Sequence, residues 1–325
     1  MSRKAPGFAW AFGVALVLAL GFAVLPRERV EVGALPDFED AAAFLAAREG
    51  AYDDIRPGEA ARIVWAGEEG AVTPLSIVYL HGFSAGTEEI RPVPDRVAEA
   101  LGANLIYARL AGHGRSGAAM AEARAGDWVQ DTALFLEIGR RLGERVLVIG
   151  TSTGGTLAAW AMSDPAMALD VAGVVLVSPN FAVANRAGFL LEQPLARHWI
   201  PLVAGAERRF EPLNAGQAAH WTTQYPTVAT VSLGTLLREL RARDLGAAVQ
   251  PVLVLFADSD RVVSAPATRA AMARWGGPVT LAPVSLPGDG ADPFHHVIAG
   301  DILSPAMTDE VVQTILDWAE VALAD

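Results

Sequence analysis

The run Val146-Leu147-Val148-Ile149 leads directly into Gly150-Thr151-Ser152-Thr153-Gly154-Gly155, and Thr156-Leu157-Ala158-Ala159-Trp160 can continue as a helix. A serine on so sharp a strand-to-helix turn exposes its hydroxyl at the top of a sheet, with small neighbours that let other backbone approach. The helix N-terminus behind it favours negative charge developing nearby. A serine hydroxyl is a weak nucleophile, so it needs a base, and the base needs an orienting acid. Two later stretches offer both: Asp258 and Asp260 in Phe256-Ala257-Asp258-Ser259-Asp260-Arg261-Val262-Val263, and His295 and His296 in Phe294-His295-His296-Val297-Ile298. His81 in Leu80-His81-Gly82-Phe83 and His113 in Ala111-Gly112-His113-Gly114-Arg115-Ser116 are further imidazoles upstream. With no cysteine in the chain, a thiol nucleophile and thiolate metal sites are excluded. The His295-His296 pair has no third histidine at ligand spacing, so neither a metal nor a cofactor is expected.

These residues need a scaffold. Leu75–Leu80, Asn104–Ala108, Arg145–Ile149, Val174–Val177, Pro251–Phe256 and Val279–Leu281 read as strands, and their near-continuous apolar character predicts a parallel sheet covered on both faces. Between them lie helical patterns. Asp127 is the expected N-cap of a helix carrying Trp128, Asp131, Leu134, Phe135, Ile138 and Leu142. A last helix is expected from Thr308, with Asp309 and Glu310 in its first turn. The alternation predicts an α/β fold, a doubly wound, mostly parallel sheet with right-handed crossovers. The interval 184–250 contains no convincing strand and is too long for one crossover, so it is expected to form a helical cap over the carboxyl edge of the sheet. The expected organisation is a segment 1–26, a lead-in 27–60 with a short helix from Phe38 to Leu45, a core of 61–183 plus 251–325, and the cap.

With motifs and order in hand, the chain resembles the α/β-hydrolase superfamily. Within it, the chain is most similar to the capped branch of monoacylglycerol lipases, carboxylesterases and serine-aminopeptidase-like proteins. The resemblance covers roughly residues 60 to 325, and the order Ser152, Asp260, His296 is the order of that superfamily. It implies Ser152 as nucleophile, with the backbone N–H groups of Phe83 and Thr153 as the oxyanion hole. It selects Asp260, which stands before Arg261-Val262-Val263, over Asp258, and His296, which stands before Val297-Ile298, over His295. It assigns His81 and His113 to loop structure.

The implied activity is hydrolysis of carboxylic esters, monoacylglycerol or other lipid-like esters, through an acyl-enzyme. A serine-aminopeptidase-like peptidase is the alternative, and Glu192, Glu207 and Glu211 are the acidic cap residues available for a substrate amine. A non-catalytic binding module on the same fold is the third reading. Phe189, Leu190, Leu191, Trp199, Ile200 and Trp221 suggest an apolar acyl pocket in the cap, although any cap needs such residues to pack on its core. The formal charge of −12 argues against nucleic acid as a partner, and no obligate protein partner is inferred. Arg3 and Lys4 precede an uncharged run from Phe8 to Pro26, just long enough for a membrane-spanning helix. That segment is expected to act as an uncleaved anchor with the catalytic domain exported to the periplasmic side; cleavage would make the protein secreted.

Overall fold

A computed structural model describes residues 25 and 27–324. The expected anchor at 1–26 therefore lies outside the described residues, apart from Leu25. Among the described residues, no helix is long and apolar enough to cross a membrane.

The core is a seven-stranded sheet built from β1 (Arg62–Val64), β2 (Thr73–Leu80), β3 (Asn104–Tyr107), β4 (Gly143–Thr151), β5 (Val171–Val177), β8 (Val252–Phe256) and β9 (Val279–Pro283). Their spatial order is β1-β3-β2-β4-β5-β8-β9, and only the β1–β3 pairing is antiparallel. Alternation along each strand divides the core in two. Val78, Leu80, Val148, Leu176 and Val254 face a layer with α4 (Ala125–Leu142) and α5 (Thr153–Met162). Ile77, Tyr79, Ile149, Val175 and Leu255 face the opposite layer with α2 (Val93–Leu101) and α10 (Thr308–Ala322). Both faces are dry, which is why the strands read as unbroken apolar runs.

Several expectations need correction. β1 is short, half-exposed and antiparallel, and its three residues carry too little pattern to announce it. β9 is an edge strand with mostly exposed side chains, not one covered on both faces. Asp127 is not the N-cap of α4. The helix begins two residues earlier, and Asp127 reaches back to accept the Arg124 N–H at 2.8 Å. The lead-in helix α1 (Ala41–Gly50) starts later than expected, with Asp40 accepting the N–H groups of Ala42 and Ala43. Its last turn docks onto the core through Glu49, which binds the buried Arg109.

Residues 184–250 join β5 to β8. They form a 3-10 turn (Arg186–Glu192), α6 (Ala196–Ala204), α7 (Ala215–His220), α8 (Ala229–Ala242) and a second 3-10 turn (Leu245–Ala247). They also hold strands β6 (Glu207–Arg209) and β7 (Gln224–Pro226), an antiparallel pair that the reading of this interval as strandless had not anticipated. Leu190, Leu191 and Trp199 pack with Ala196, Ile200 and Val231 as a small core of their own. α3 (Gly117–Glu122) passes beneath β7, where a Cβ on Gly117 would lie 2.2 Å from the Gln224 carbonyl oxygen.

Candidate active site

Ser152 stands between β4 and α5 with φ 51° and ψ −112°, a conformation costing a non-glycine residue about 1–3 kcal/mol. The surroundings impose it. The Ser152 N–H donates to the Val177 carbonyl at 2.9 Å, and the Ser152 carbonyl accepts the Asn180 N–H at 3.0 Å. Gly154 allows the elbow to press on the neighbouring strand, since a Cβ there would fall 2.0 Å from the Leu80 carbonyl oxygen. Gly154 is therefore required by the close approach of β2, while a Cβ on Gly150 would strike the Gly154 carbonyl at 2.6 Å and one on Gly155 would meet Pro179 at 2.9 Å.

From this elbow a hydrogen-bonded chain runs inward. His296 Nε2 lies 3.0 Å from Ser152 Oγ, and His296 Nδ1 lies 2.8 Å from Asp260 Oδ2. Asp260 Oδ1 accepts the N–H groups of Val262 at 2.7 Å and Val263 at 2.9 Å. The Asp260 side chain is 1% exposed, and Ser152 and His296 are buried. Burial would lower the His296 pKa, but the hydrogen bond and charge of Asp260, helped by Glu89 and Asp292, outweigh it and hold it above 6.5. An acceptor on Nδ1 leaves Nε2 to take a proton from the serine, the tautomer that base catalysis requires.

The other candidates go elsewhere. Asp258 is 64% exposed, and both its oxygens accept from the one Arg269 Nη2 at 2.9 Å. His295, at φ 56°, turns to Ser259 Oγ at 2.6 Å. His81 is fully buried and its pKa falls to about 4, so it stays neutral. Its Nε2 accepts the Leu110 N–H at 3.2 Å, which leaves Nδ1–H to donate to the Gly82 carbonyl at 2.9 Å. Because the Gly82 carbonyl and the Phe83 N–H share one peptide plane and point in opposite directions, holding the first aims the second. His113 packs against His81 with ring centroids 4.9 Å apart, and burial lowers its pKa as well.

Phe83 is held by its ring, edge-on to Tyr225 of the cap at 5.4 Å, His113 at 5.8 Å and Trp128 at 6.0 Å. Thr153 is the first residue of α5, so its N–H is one of the donors a helix leaves unpaired at its start. The cap is tied to this loop directly, the Thr222 N–H donating to the Ser84 carbonyl at 2.7 Å.

Two carboxylates near the site escaped the sequence reading. Asp292 is buried and caps the histidine loop, Oδ1 accepting the Phe294 N–H and Oδ2 those of His296 and Val297, each at 3.0 Å. The dipeptide Asp292-Pro293 is a turn signal that pointed to it. Glu89, 3% exposed, accepts the Gly82 N–H at 2.6 Å, and burial pushes its carboxyl up to about 7. No local pattern distinguishes it from Glu88. The described residues contain no cluster of histidine and carboxylate groups fit to hold a metal ion.

Comparison with known proteins is consistent with this geometry. Residues 75–282 match the family described as serine aminopeptidase, S33. A thermostable monoacylglycerol lipase of Bacillus sp. (strain H-257) is 27% identical over 192 residues, which span 58% of this chain and 72% of the lipase. A solved structure of the metagenome-derived lipolytic enzymes LipS and LipT matches with a TM-score of 0.64 at 18% identity, over 82% of this chain and 99% of the other. The monoacylglycerol lipase of Paleococcus ferrophilus gives 0.57 at 15% identity, over 81% and 98%. At such identities the two solved structures speak for the fold.

Proposed function

Since this chain belongs to the serine aminopeptidase S33 family of α/β-hydrolases, we propose that it hydrolyses carboxylic esters, monoacylglycerol-like lipid esters among them, through an acyl-enzyme on Ser152. The observation that carries the reading is the hydrogen-bonded chain from Asp260 through His296 to Ser152 Oγ. His296 takes the serine proton as Oγ attacks the ester carbonyl, and Asp260 stabilises the imidazolium that forms. The carbonyl oxygen becomes an anion facing the Phe83 and Thr153 N–H groups. The imidazolium protonates the departing alcohol. His296 then activates a water that releases the acid.

Esters are favoured over amino-terminal peptides by the state of the acidic cap residues. A peptidase of that kind needs a carboxylate for the substrate amine. Glu192 is bound to Arg241, Glu207 accepts from Gln224 Nε2 at 2.7 Å, and the exposed Glu211 pairs with Arg209 at 3.4 Å. The Bacillus relative, named as a monoacylglycerol lipase, supports the same choice. The apolar run from Phe8 to Pro26 supports a membrane-tethered enzyme. Because Arg3 and Lys4 before it are balanced by Arg27 and Arg29 after it, the exported catalytic domain is part of the proposal rather than an orientation set by charge. Protease accessibility in spheroplasts tests that placement, and protection of the catalytic domain overturns it.

The test of the chemistry is hydrolysis of a p-nitrophenyl ester series, acetate to palmitate, beside aminoacyl p-nitroanilides, with Ser152→Ala as control. Ester turnover that disappears in the control supports the proposal. Turnover of the anilides alone replaces it with the peptidase reading.

A further inference from the structure

The loop that presents Phe83 rests on a buried carboxylate that the proposed chemistry leaves unused. Glu89 lies between β2 and α2, and its Oε2 accepts both the Gly82 N–H at 2.6 Å and the Tyr79 hydroxyl at 3.3 Å. A Cβ on Gly82 would meet Glu89 Oε1 at 2.6 Å and Ser152 Cβ at 3.2 Å. Carboxylate and serine thus flank the same glycine, with no room for any side chain between them. His81 holds the carbonyl of Gly82, which lies in the peptide that carries the Phe83 N–H, and Glu89 holds the N–H of Gly82, so this residue is pinned at both ends. A hydrogen bond to a carboxylate is about twice as strong as a neutral one, so Glu89 is the stronger of the two clamps when ionised.

We infer that Glu89 is a positioning residue of this site: it clamps the Gly82 amide so that the next peptide presents the Phe83 N–H to the oxyanion, and its charge supports positive charge on His296. The inference rests on the reading of Ser152 as nucleophile. The groups facing Glu89 are Tyr79 from β2, Glu59 from the lead-in and His296 from the loop after β9. Glu59 is itself paired with His220 Nδ1 at 2.7 Å and opposed by Arg56, and its charge adds to the burial that raises the Glu89 carboxyl. His296 faces Asp260, Glu89 and Asp292, all of which favour its charged form. Removing the Glu89 charge therefore makes the imidazole a weaker base.

The experiment compares wild type, Glu89→Gln and Glu89→Ala in the full chain. The readouts are the rate of fluorophosphonate labelling of Ser152 across pH 5–9, and kcat and KM on p-nitrophenyl butyrate. Glutamine keeps an acceptor for the Gly82 N–H but not the charge. Its labelling rate is expected within roughly tenfold of wild type, with the acid limb of the pH profile moved to lower pH. Alanine loses the clamp, and labelling and kcat are expected to fall on the order of 100-fold with KM little changed. An acid limb that stays in place in Glu89→Gln, or undiminished labelling of folded Glu89→Ala, overturns the inference. If Glu89→Ala fails to fold, the Glu89→Gln limb alone decides. Glu89-dependent labelling in a protein that turns over no ester would sink the ester reading and leave this inference standing.

Discussion

Asp292 offers a sharp test of how His296, the proposed base, is held. Three N–H groups converge on its carboxylate, those of His296 and Val297 buried and that of Phe294 buried only in part. Asp292→Ala leaves all three without this acceptor, and the two buried ones, of His296 and Val297, have no easy replacement from water. Each orphaned donor costs about 1–3 kcal/mol, so the variant should lose roughly 3–6 kcal/mol of stability, allowing for partial relaxation. Asp292→Asn can turn its single carbonyl oxygen toward His296 and Val297 and sacrifice only the Phe294 bond, for a loss of about 1–3 kcal/mol. Activity should follow the same order, because the backbone being released carries the imidazole. A displacement of about 1 Å at the reacting group costs on the order of 100-fold in kcat. Urea unfolding gives the stability of the three proteins, and fluorophosphonate labelling of Ser152 gives the state of the site without assuming a substrate. If Asp292→Ala unfolds at the wild-type midpoint, or is less perturbed than Asp292→Asn, the reasoning from converging donors is wrong.

Three further outcomes follow from the geometry. Asp260→Asn should lower kcat by about 10³–10⁴ through loss of tautomer control, whereas Asp258→Asn, altering an exposed pair with Arg269, should stay within threefold; equal effects in a parallel kinetic assay would reverse the assignment. His296 must be neutral to act as a base and its pKa is raised, so kcat/KM should fall with decreasing pH through a midpoint above 6.5; a midpoint well below 6.5 contradicts the electrostatic account. Glu89 titrates at about 7 when folded against 4.5 for a free carboxyl, so the folded state holds the extra proton between those values. The stability of wild type relative to Glu89→Gln should then be greatest below about pH 4.5 and decline as pH rises to about 7; urea midpoints that differ by a constant amount from pH 4.5 to pH 8 would count against it.

Much of this protein is legible in one dimension. The strands that build the sheet interior announced themselves because both their faces are buried, and a residue buried on either face must be apolar. Ser152 and Asp260 sit just beyond the ends of β4 and β8 and His296 in the loop after β9, each within a short motif; Gly154 stands where β2 touches the elbow, and the N–H groups of Val262 and Val263 fold back onto Asp260. The lesser strands were invisible for the complementary reason. β1, β6 and β7 are three residues each, β6 exposed and β1 and β7 buried only in part, so their sequences escape the constraint that makes a pattern; the edge strand β9 is legible as Val279-Thr280-Leu281, but its exposure is not.

Only the folded chain shows the environment of each of two neighbouring ionisable groups and which one joins the hydrogen-bonded chain at Ser152. Asp258 and Asp260 are two residues apart, yet one meets water and Arg269 while the other is sealed beneath His296. His295 and His296 are adjacent, and the positive φ of the first turns their rings to different partners. Glu89 and Glu88 look alike in sequence, but Glu88 pairs with Arg62 while Glu89 lies under Gly82 beside the serine. Local sequence determines where the backbone turns and which side chains avoid water. Burial, partner and charge at a given carboxylate depend on segments tens to hundreds of residues away, and those meet only in the tertiary structure.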